Sequence, residues 1–310
     1  MRQTYRGSIE CILIDDCGTD NSIAIAERMI DEYKGTIQFK VIHHTHNRGL
    51  SAARNTGTIE AIGEYLFYLD SDDEITEDCI EKLMAVACKS PRVEMVQGNA
   101  CRHCIDKTSY ILVNDISMPL AVTNGEVREC LYQRGQFYVN CWNKLLKRDL
   151  IIKNQIFCQE GLLYEDNLWL FYLLKYLEVA AFIPDITYHQ KKRTHSITST
   201  ADIKTKGYNF MVIYRDIIEH LTPGREEEEF RYYSPLVGED YIQYIHAVPE
   251  FENVYKQFRE SSKQYGNSSV RWNLVSCHFW GRFEKGWGIY SFIKKCKIAI
   301  ARRIKRLQSW

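Results

Sequence analysis

Residues 65–73 read Tyr65-Leu66-Phe67-Tyr68-Leu69-Asp70-Ser71-Asp72-Asp73, an apolar run that stops at three carboxylates within four positions. Such a run is a strand of the buried kind, which belongs in a sheet covered by helices. Outward from it the same rhythm repeats. Apolar β-type runs occupy 9–14, 37–42, 65–69 and 93–97, their starts 28 residues apart each time. That interval holds a strand, a crossover helix and its turns. Helical patterns lie between the runs. Ile23, Ala26, Ile30 and Tyr33 share one face behind an N-cap at Thr19 or Asp20, and Ile80, Leu83, Met84 and Ala87 share another. The alternation predicts an α/β domain with a mostly parallel sheet flanked by helices. Ligands of such sheets sit beyond the carboxyl ends of the strands. Asp15-Asp16 follows the first run there, and Asp70-Ser71-Asp72-Asp73 the third.

The remainder is less regular. From 101 to about 200 the chain is rich in aromatics and contains one strong helical pattern, Trp169, Tyr172, Leu173, Tyr176 and Leu177. The last hundred residues look helical and include the acidic run 226–229, most simply a solvated face. The expected division is 1–100 as the regular α/β half, 101–205 as a second, less regular half and 206–310 as a helical extension.

Composition narrows the function. Lys plus Arg and Asp plus Glu each number 40, so the net charge is zero and no global field attracts nucleic acid. No apolar run approaches the roughly 20 residues of a membrane span, and the start, MRQTYRGSIE, lacks the apolar centre of a signal peptide. A cytoplasmic protein is expected. The 11 cysteines follow no framework and are expected as free thiols. Cys101 and Cys104 form a CxxC with His103 inside it, but no second ligand pair stands at a suitable spacing, so a zinc site is not expected. His43, His44 and His46 are expected to be ordinary loop histidines.

Three clusters carry chemistry. Carboxylates crowded at 70, 72 and 73 repel one another, and either full solvation of a turn or a hard divalent cation relieves them. Asp15 or Asp16 could accept from a base N–H or a ribose hydroxyl, or could cap the following helix. In Asn47-Arg48-Gly49-Leu50-Ser51-Ala52-Ala53-Arg54-Asn55-Thr56-Gly57, small residues permit a closely packed helix, and Arg54 suits a phosphate oxygen.

Together these resemble the glycosyltransferase family 2 pattern on the GT-A fold, a Rossmann-like arrangement. The matching residues are Ile14-Asp15-Asp16-Cys17-Gly18-Thr19-Asp20-Asn21-Ser22, then Asn47-x-Gly49-x-x-x-Ala53-Arg54-Asn55-x-Gly57, then Asp70-Ser71-Asp72-Asp73. The resemblance continues for about 190 residues, with Glu165-Asp166 similar to the family's ED pair. It implies an inverting transferase that moves a sugar from a nucleotide diphosphate, with UDP the expected nucleotide, to a hydroxyl of a glycan or lipid-linked acceptor in surface polysaccharide synthesis. Asp166 is implied as catalytic base, and Asp72 and Asp73 as holders of Mn²⁺ or Mg²⁺. Asp15, Asp16, Arg54, Asp70, Lys191 and Arg193 are implied on the donor side. Trp142, in Trp142-Asn143-Lys144-Leu145, and Glu165 are implied on the acceptor side, although a core Trp fits position 142 equally. The 188–198 segment resembles the family's basic stretch, with Lys191 where Arg is common and Arg193 and Ser196 matching.

Members of the family begin with a strand and helix ahead of a Gln-Thr-Tyr segment, and this chain starts inside that connection, at Met1-Arg2-Gln3-Thr4-Tyr5. The first run is therefore expected to have an unpaired edge, and a longer form to be the active one. A catalytically inactive relic and a nucleotidyltransferase are the competing expectations. After Glu284 the charges are all basic (Lys285, Lys294, Lys295, Lys297, Arg302, Arg303, Lys305 and Arg306). Ile289, Phe292, Ile293, Cys296, Ile300 and Ile304 are interleaved at roughly helical spacing. Such a tail suits an anionic membrane surface, at the inner face.

Overall fold

The computed structural model describes residues 1–112, 121–129, 138–194, 200–283, 285–292 and 294–295. They form two compact units, Met1–Ser199 and Thr200–Trp310.

The four apolar runs become β1 (Glu10–Asp15), β2 (Gln38–His43), β3 (Tyr65–Phe67) and β5 (Met95–His103). Between them lie α1 (Ser22–Asp31), α2 (Leu50–Glu60), the short β4 (Glu74–Ile75) and α3 (Cys79–Ala87). After β5 come β6 (Ser109–Ile111), β7 (Ala121–Thr123), α4 (Asn124–Glu129), β8 (Lys144–Lys147), α5 (Arg148–Lys153), α6 (Glu165–Tyr176) and the long β9 (Val179–Lys191).

The expectation of a mostly parallel sheet is corrected. A two-stranded parallel sheet joins β1 to β2, and a separate seven-stranded sheet runs β3-β8-β5-β9-β4, with β6 on β5 and β7 on β9. Among the described residues only β1·β2 and β5·β9 are parallel; the other five pairings are antiparallel. The cause is β8, which enters antiparallel between β3 and β5 and separates strands that a succession of crossovers would have made neighbours.

The core of this unit lies where α3 covers the large sheet: Cys79, Leu83, Val86 and Ala87 of the helix meet Val96, Leu145, Ala181 and Ile183 of the strands. Of these, the larger side chains Leu83, Val86, Val96, Leu145 and Ile183 contribute about 1.5–3 kcal/mol each when fully buried. The β1–β2 pair has no comparable support. Every residue of β1 is half-buried, α1 has no fully buried residue, and among the described residues β1 has no strand on its second edge. The apolar face of α6 also differs from the expected one. Leu168, Trp169, Leu170, Phe171, Leu173 and Leu174 are buried, while Tyr176 is exposed, so the helix is enclosed on most sides.

The second unit is helical: α7 (Ile203–Glu219), α8 (Glu226–Tyr244), α9 (Phe251–Tyr265) and α10 (Ser268–Gly281). Aromatic rings fill its centre, with Tyr241 stacked on Tyr255 at 3.9 Å and Phe230 on Phe258 at 5.6 Å. The acidic run 226–229 opens α8, where the helix dipole favours it, but Glu229 is 2% exposed. It accepts the Thr222 N–H at 2.8 Å, and this bond takes it out of the solvated face. Of the basic tail, Ile293, Cys296, Lys297, Ile300, Arg302, Arg303, Ile304, Lys305 and Arg306 lie outside the described residues.

Candidate active site

The loop after β1 is wound around one carboxylate. Asp16 Oδ1 accepts the Arg48 N–H at 2.8 Å and Oδ2 the Gly49 N–H at 2.7 Å, and His44 Nδ1 stands 2.6 Å from Oδ1. Asn47 Nδ2 donates to the Asp16 carbonyl at 2.9 Å. Asp16, expected to meet a donor, is thus engaged by its own chain and fixes the entry to α2. His44 is no ordinary loop histidine, since its Nε2 also lies 2.9 Å from Thr56 Oγ1. Asp15 sits at the carboxyl end of β1, with Oδ1 on the Gly18 N–H at 3.0 Å and Oδ2 2.9 Å from His43 Nδ1. The His43 and Gly18 bonds hold its carboxyl below the ordinary value.

Gly49 caps α2 at φ 87° and ψ 170°, a conformation open to glycine and hostile to side chains. The turn started there carries Arg54 inward, to 8% exposure. Its Nη2 donates to Asp70 Oδ1 at 2.9 Å, while Nη1 donates to Glu165 and, at 3.3 Å, to Asp166 Oδ1. Asn55 ties the same helix to the segment leading into α6, since Asn55 Nδ2 donates to the Cys158 carbonyl and Asn55 Oδ1 accepts the Cys158 N–H, each at 2.8 Å.

Glu165 and Asp166 open α6 behind Tyr164, whose φ of 63° turns the chain sharply into the helix. Glu165, expected on the acceptor side, is 7% exposed and turned to Arg54. Burial and the adjacent Asp166 push its carboxyl upward against the opposing pull of Arg54. Asp166 accepts the Cys141 N–H at 3.2 Å and meets Asn140 Nδ2 at 3.3 Å.

The acidic turn lies between β3 and β4. Asp73 Oδ2 accepts the Tyr188 hydroxyl at 2.7 Å and Oδ1 the Lys191 N–H at 2.8 Å. Asp72 is half-buried and Arg193 exposed, with Oδ2 and Nε 3.5 Å apart. The Lys191 ammonium pairs with Glu74. Burial raises both the Asp70 and the Asp73 carboxyls. Ser196 lies outside the described residues.

Trp142 is corrected from an acceptor platform to a core residue. It is 1% exposed, stacked on Tyr188 at 4.4 Å and on Tyr138 at 5.0 Å, so no ring face is left for a sugar. Lys144, in the same segment, is fully buried and donates to the carbonyls of Tyr138 and Asn140. Burial lowers its ammonium to about 7. It shapes the loop that presents Asn140 and Cys141 to Asp166.

One guanidinium thus faces Asp70, Glu165 and Asp166, with Asp72 and Asp73 close along the chain. The carboxylates outnumber Arg54, and burial drives two of its three partners upward. An oxygen donor set with surplus negative charge fits a hard divalent cation. Sequence reasoning did not assign His44, Asn55, Asn140 or Tyr188 a part in this site. Asn55 and Tyr188 were inside motifs already quoted; His44 and Asn140 carried no signal of their own.

The family model described as "Glycosyl transferase family 2" matches residues 1–160. The cholesterol galactosyltransferase of Borreliella burgdorferi is 30% identical over 212 residues, 64% of this chain and 56% of that protein. The chain spans about half the length of the curated relatives it matches. Staphylococcus aureus TarS 1-349, solved in complex with UDP, has a TM-score of 0.57 at 17% identity, covering 91% of this chain and 84% of that one. The mannosyltransferase PcManGT of Pyrobaculum calidifontis, solved with GDP-Man and Mn²⁺, has a TM-score of 0.50 at 13% identity, covering 95% of this chain and 77% of that one. At those identities the solved structures speak for the fold alone. The matched residues cover more than half of the chain and include the Asp16 loop, the Arg54 helix and the acidic turn, so the chain has the α/β GT-A fold and belongs to glycosyl transferase family 2.

Proposed function

We propose that this site transfers a sugar from a UDP-sugar to a hydroxyl of a glycan or lipid-linked acceptor, with inversion at the anomeric carbon. The observation that carries the reading is the Arg54 bridge, which joins Asp166 and Asp70 through one buried guanidinium. Relatives named as glycosyltransferases, a fold neighbour named as a mannosyltransferase and another neighbour solved with UDP support a nucleotide-sugar donor.

In the reaction Asp166 accepts the proton of the acceptor hydroxyl as its oxygen attacks the anomeric carbon. The bond from that carbon to the diphosphate breaks on the opposite face, so one displacement inverts the centre. The Cys141 N–H, Asn140 and Arg54 keep Asp166 oriented. Arg193, exposed beside Asp72, turns to the phosphate oxygens, and Asp15 meets the nucleoside end. Asp72 and Asp73 would hold Mn²⁺ or Mg²⁺, which neutralises the charge gathering on the leaving diphosphate.

Calorimetric titration of UDP with and without Mn²⁺ tests the donor site, and metal-dependent binding that Asp72→Asn abolishes is expected. Acceptor-dependent UDP release from a UDP-sugar tests the reaction. UDP binding without turnover under any acceptor would favour a non-catalytic relic. Pyrophosphate as product would replace the proposal with nucleotidyl transfer.

A further inference from the structure

Away from the Arg54 cluster, β5 and β9 run parallel with Cys101 opposite His189 and His103 opposite Lys191. Strand side chains alternate between faces, so Cys101 and His103 share one and Arg102 takes the other. The contacts agree: Arg102 bonds Gln190 and Tyr110, while His103 bonds Ser109 and His189. One potential ligand atom from each of Cys101, His103 and His189 lies within 4.8 Å of the others. The two imidazoles are closer still, His103 Nε2 standing 2.9 Å from His189 Nδ1.

We propose that Cys101, His103 and His189 bind one borderline-soft divalent cation of the Zn²⁺ class, at a site separate from the oxygen-lined acidic turn. With Zn–S about 2.3 Å and Zn–N about 2.0–2.1 Å, ligand atoms on a tetrahedral ion are about 3.3–3.6 Å apart. The widest spacing in the cluster therefore has to close by about 1.2 Å or less while the imidazole pair opens by about 0.4 Å, changes that side-chain torsions supply. The ligand set is one thiol and two imidazoles, which selects against Mg²⁺ and Mn²⁺. Ser109 supplies an outer support: its Oγ stands 2.9 Å from His103 Nδ1, and as the acceptor of that bond it would hold the tautomer whose Nε2 lone pair faces the cluster. On binding, the Cys101 thiol proton passes to buffer, the histidine pair exchanges its hydrogen bond for the ion, and water completes the tetrahedron. The ion would clip the β5–β6 edge to β9 two positions before Lys191, whose N–H holds Asp73.

The test is titration of chelator-treated protein with Co²⁺, read by thiolate-to-metal charge-transfer absorption. One equivalent with a tetrahedral spectrum is expected, displaced by Zn²⁺ and unmoved by excess Mg²⁺ or Mn²⁺. Cys101→Ser abolishes the charge-transfer band, His189→Asn does so or shifts binding beyond the titration range, and Ser109→Ala weakens affinity about 10-fold or more. Cys88→Ser, at an exposed thiol, leaves the band intact. Circular dichroism of each variant confirms the fold. No band in the wild type, or a band unchanged in Cys101→Ser, overturns the site, and neither result bears on UDP binding.

Discussion

Arg54 Nη2 stands 2.9 Å from Asp70 Oδ1, a contact between the middle of α2 and the turn after β3 that closes the floor of the site. The same guanidinium neutralises Glu165 and Asp166 from Nη1. Removing it leaves three partly buried carboxylates facing one another. Arg54→Ala is expected to lose about 3–5 kcal/mol of stability, the usual cost of stripping one partner from a buried ion pair. Arg54→Lys recovers only part of this, because an ammonium cannot fork between Asp70 and α6. Urea unfolding of the two variants measures both.

Asp166→Asn keeps an acceptor oxygen for the Cys141 N–H while losing the capacity to take a proton. On the proposed mechanism kcat falls about 10²–10⁴-fold, the usual worth of a general base, while UDP affinity and the thermal midpoint hold. Turnover set beside calorimetry separates this from a folding defect.

Gly49, the N-cap of α2, and Gly57, inside that helix, answer differently to alanine. At φ 87° Gly49 stands where a Cβ is strained, so Gly49→Ala costs about 1–3 kcal/mol and loosens the Asp16 loop. At Gly57 a Cβ meets Ile14 Cγ1 at 3.8 Å, an ordinary contact, and alanine gains about 0.5–1 kcal/mol in a helix interior. Thermal unfolding of the pair should move in opposite directions.

Acid should weaken the N-terminal part of the fold through Asp16. Burial pushes its carboxyl upward, but His44 and the N–H groups of Arg48 and Gly49 outweigh this, and the folded value lies below the unfolded one. A depressed carboxyl stabilises the fold fully above its unfolded pKa and loses that contribution as the pH falls through the folded pKa. The stability difference between wild type and Asp16→Asn should therefore shrink below about pH 4. Urea midpoints measured across the acid range give the difference curve.

The strands were legible where the physics is local. Runs of apolar residues at a constant interval placed β1, β2, β3 and β5 within a few residues of their true starts. β8 was not legible, because Lys144-Leu145-Leu146-Lys147 is short and its direction is decided by β3 and β5, far away in the chain. The site shows the same division. Arg54 and the acidic turn stood out as residues with chemistry, but the carboxylates that claim Arg54 on α6 lie 111 and 112 positions away. Trp142 could not be assigned by type, since a ring that stacks on a sugar and one that stacks on Tyr138 and Tyr188 are the same residue until the neighbours are known.

The two-stranded ribbon of β1 and β2 implies an uneven distribution of local opening free energies. Its half-buried residues, and an edge that no strand among the described residues pairs, give it little to lose on separating, so the amides of Glu10–Asp15 should exchange with solvent through sub-global opening. Those of β5 and β9, buried beneath α3, should exchange only with unfolding of the unit. Asp15 rides on the ribbon, whereas Asp166 opens a helix enclosed in the core. A ligand gripping Asp15 would therefore act as a splint, its affinity reduced by the fraction of molecules in which the ribbon is open and its binding visible as slowed exchange along β1.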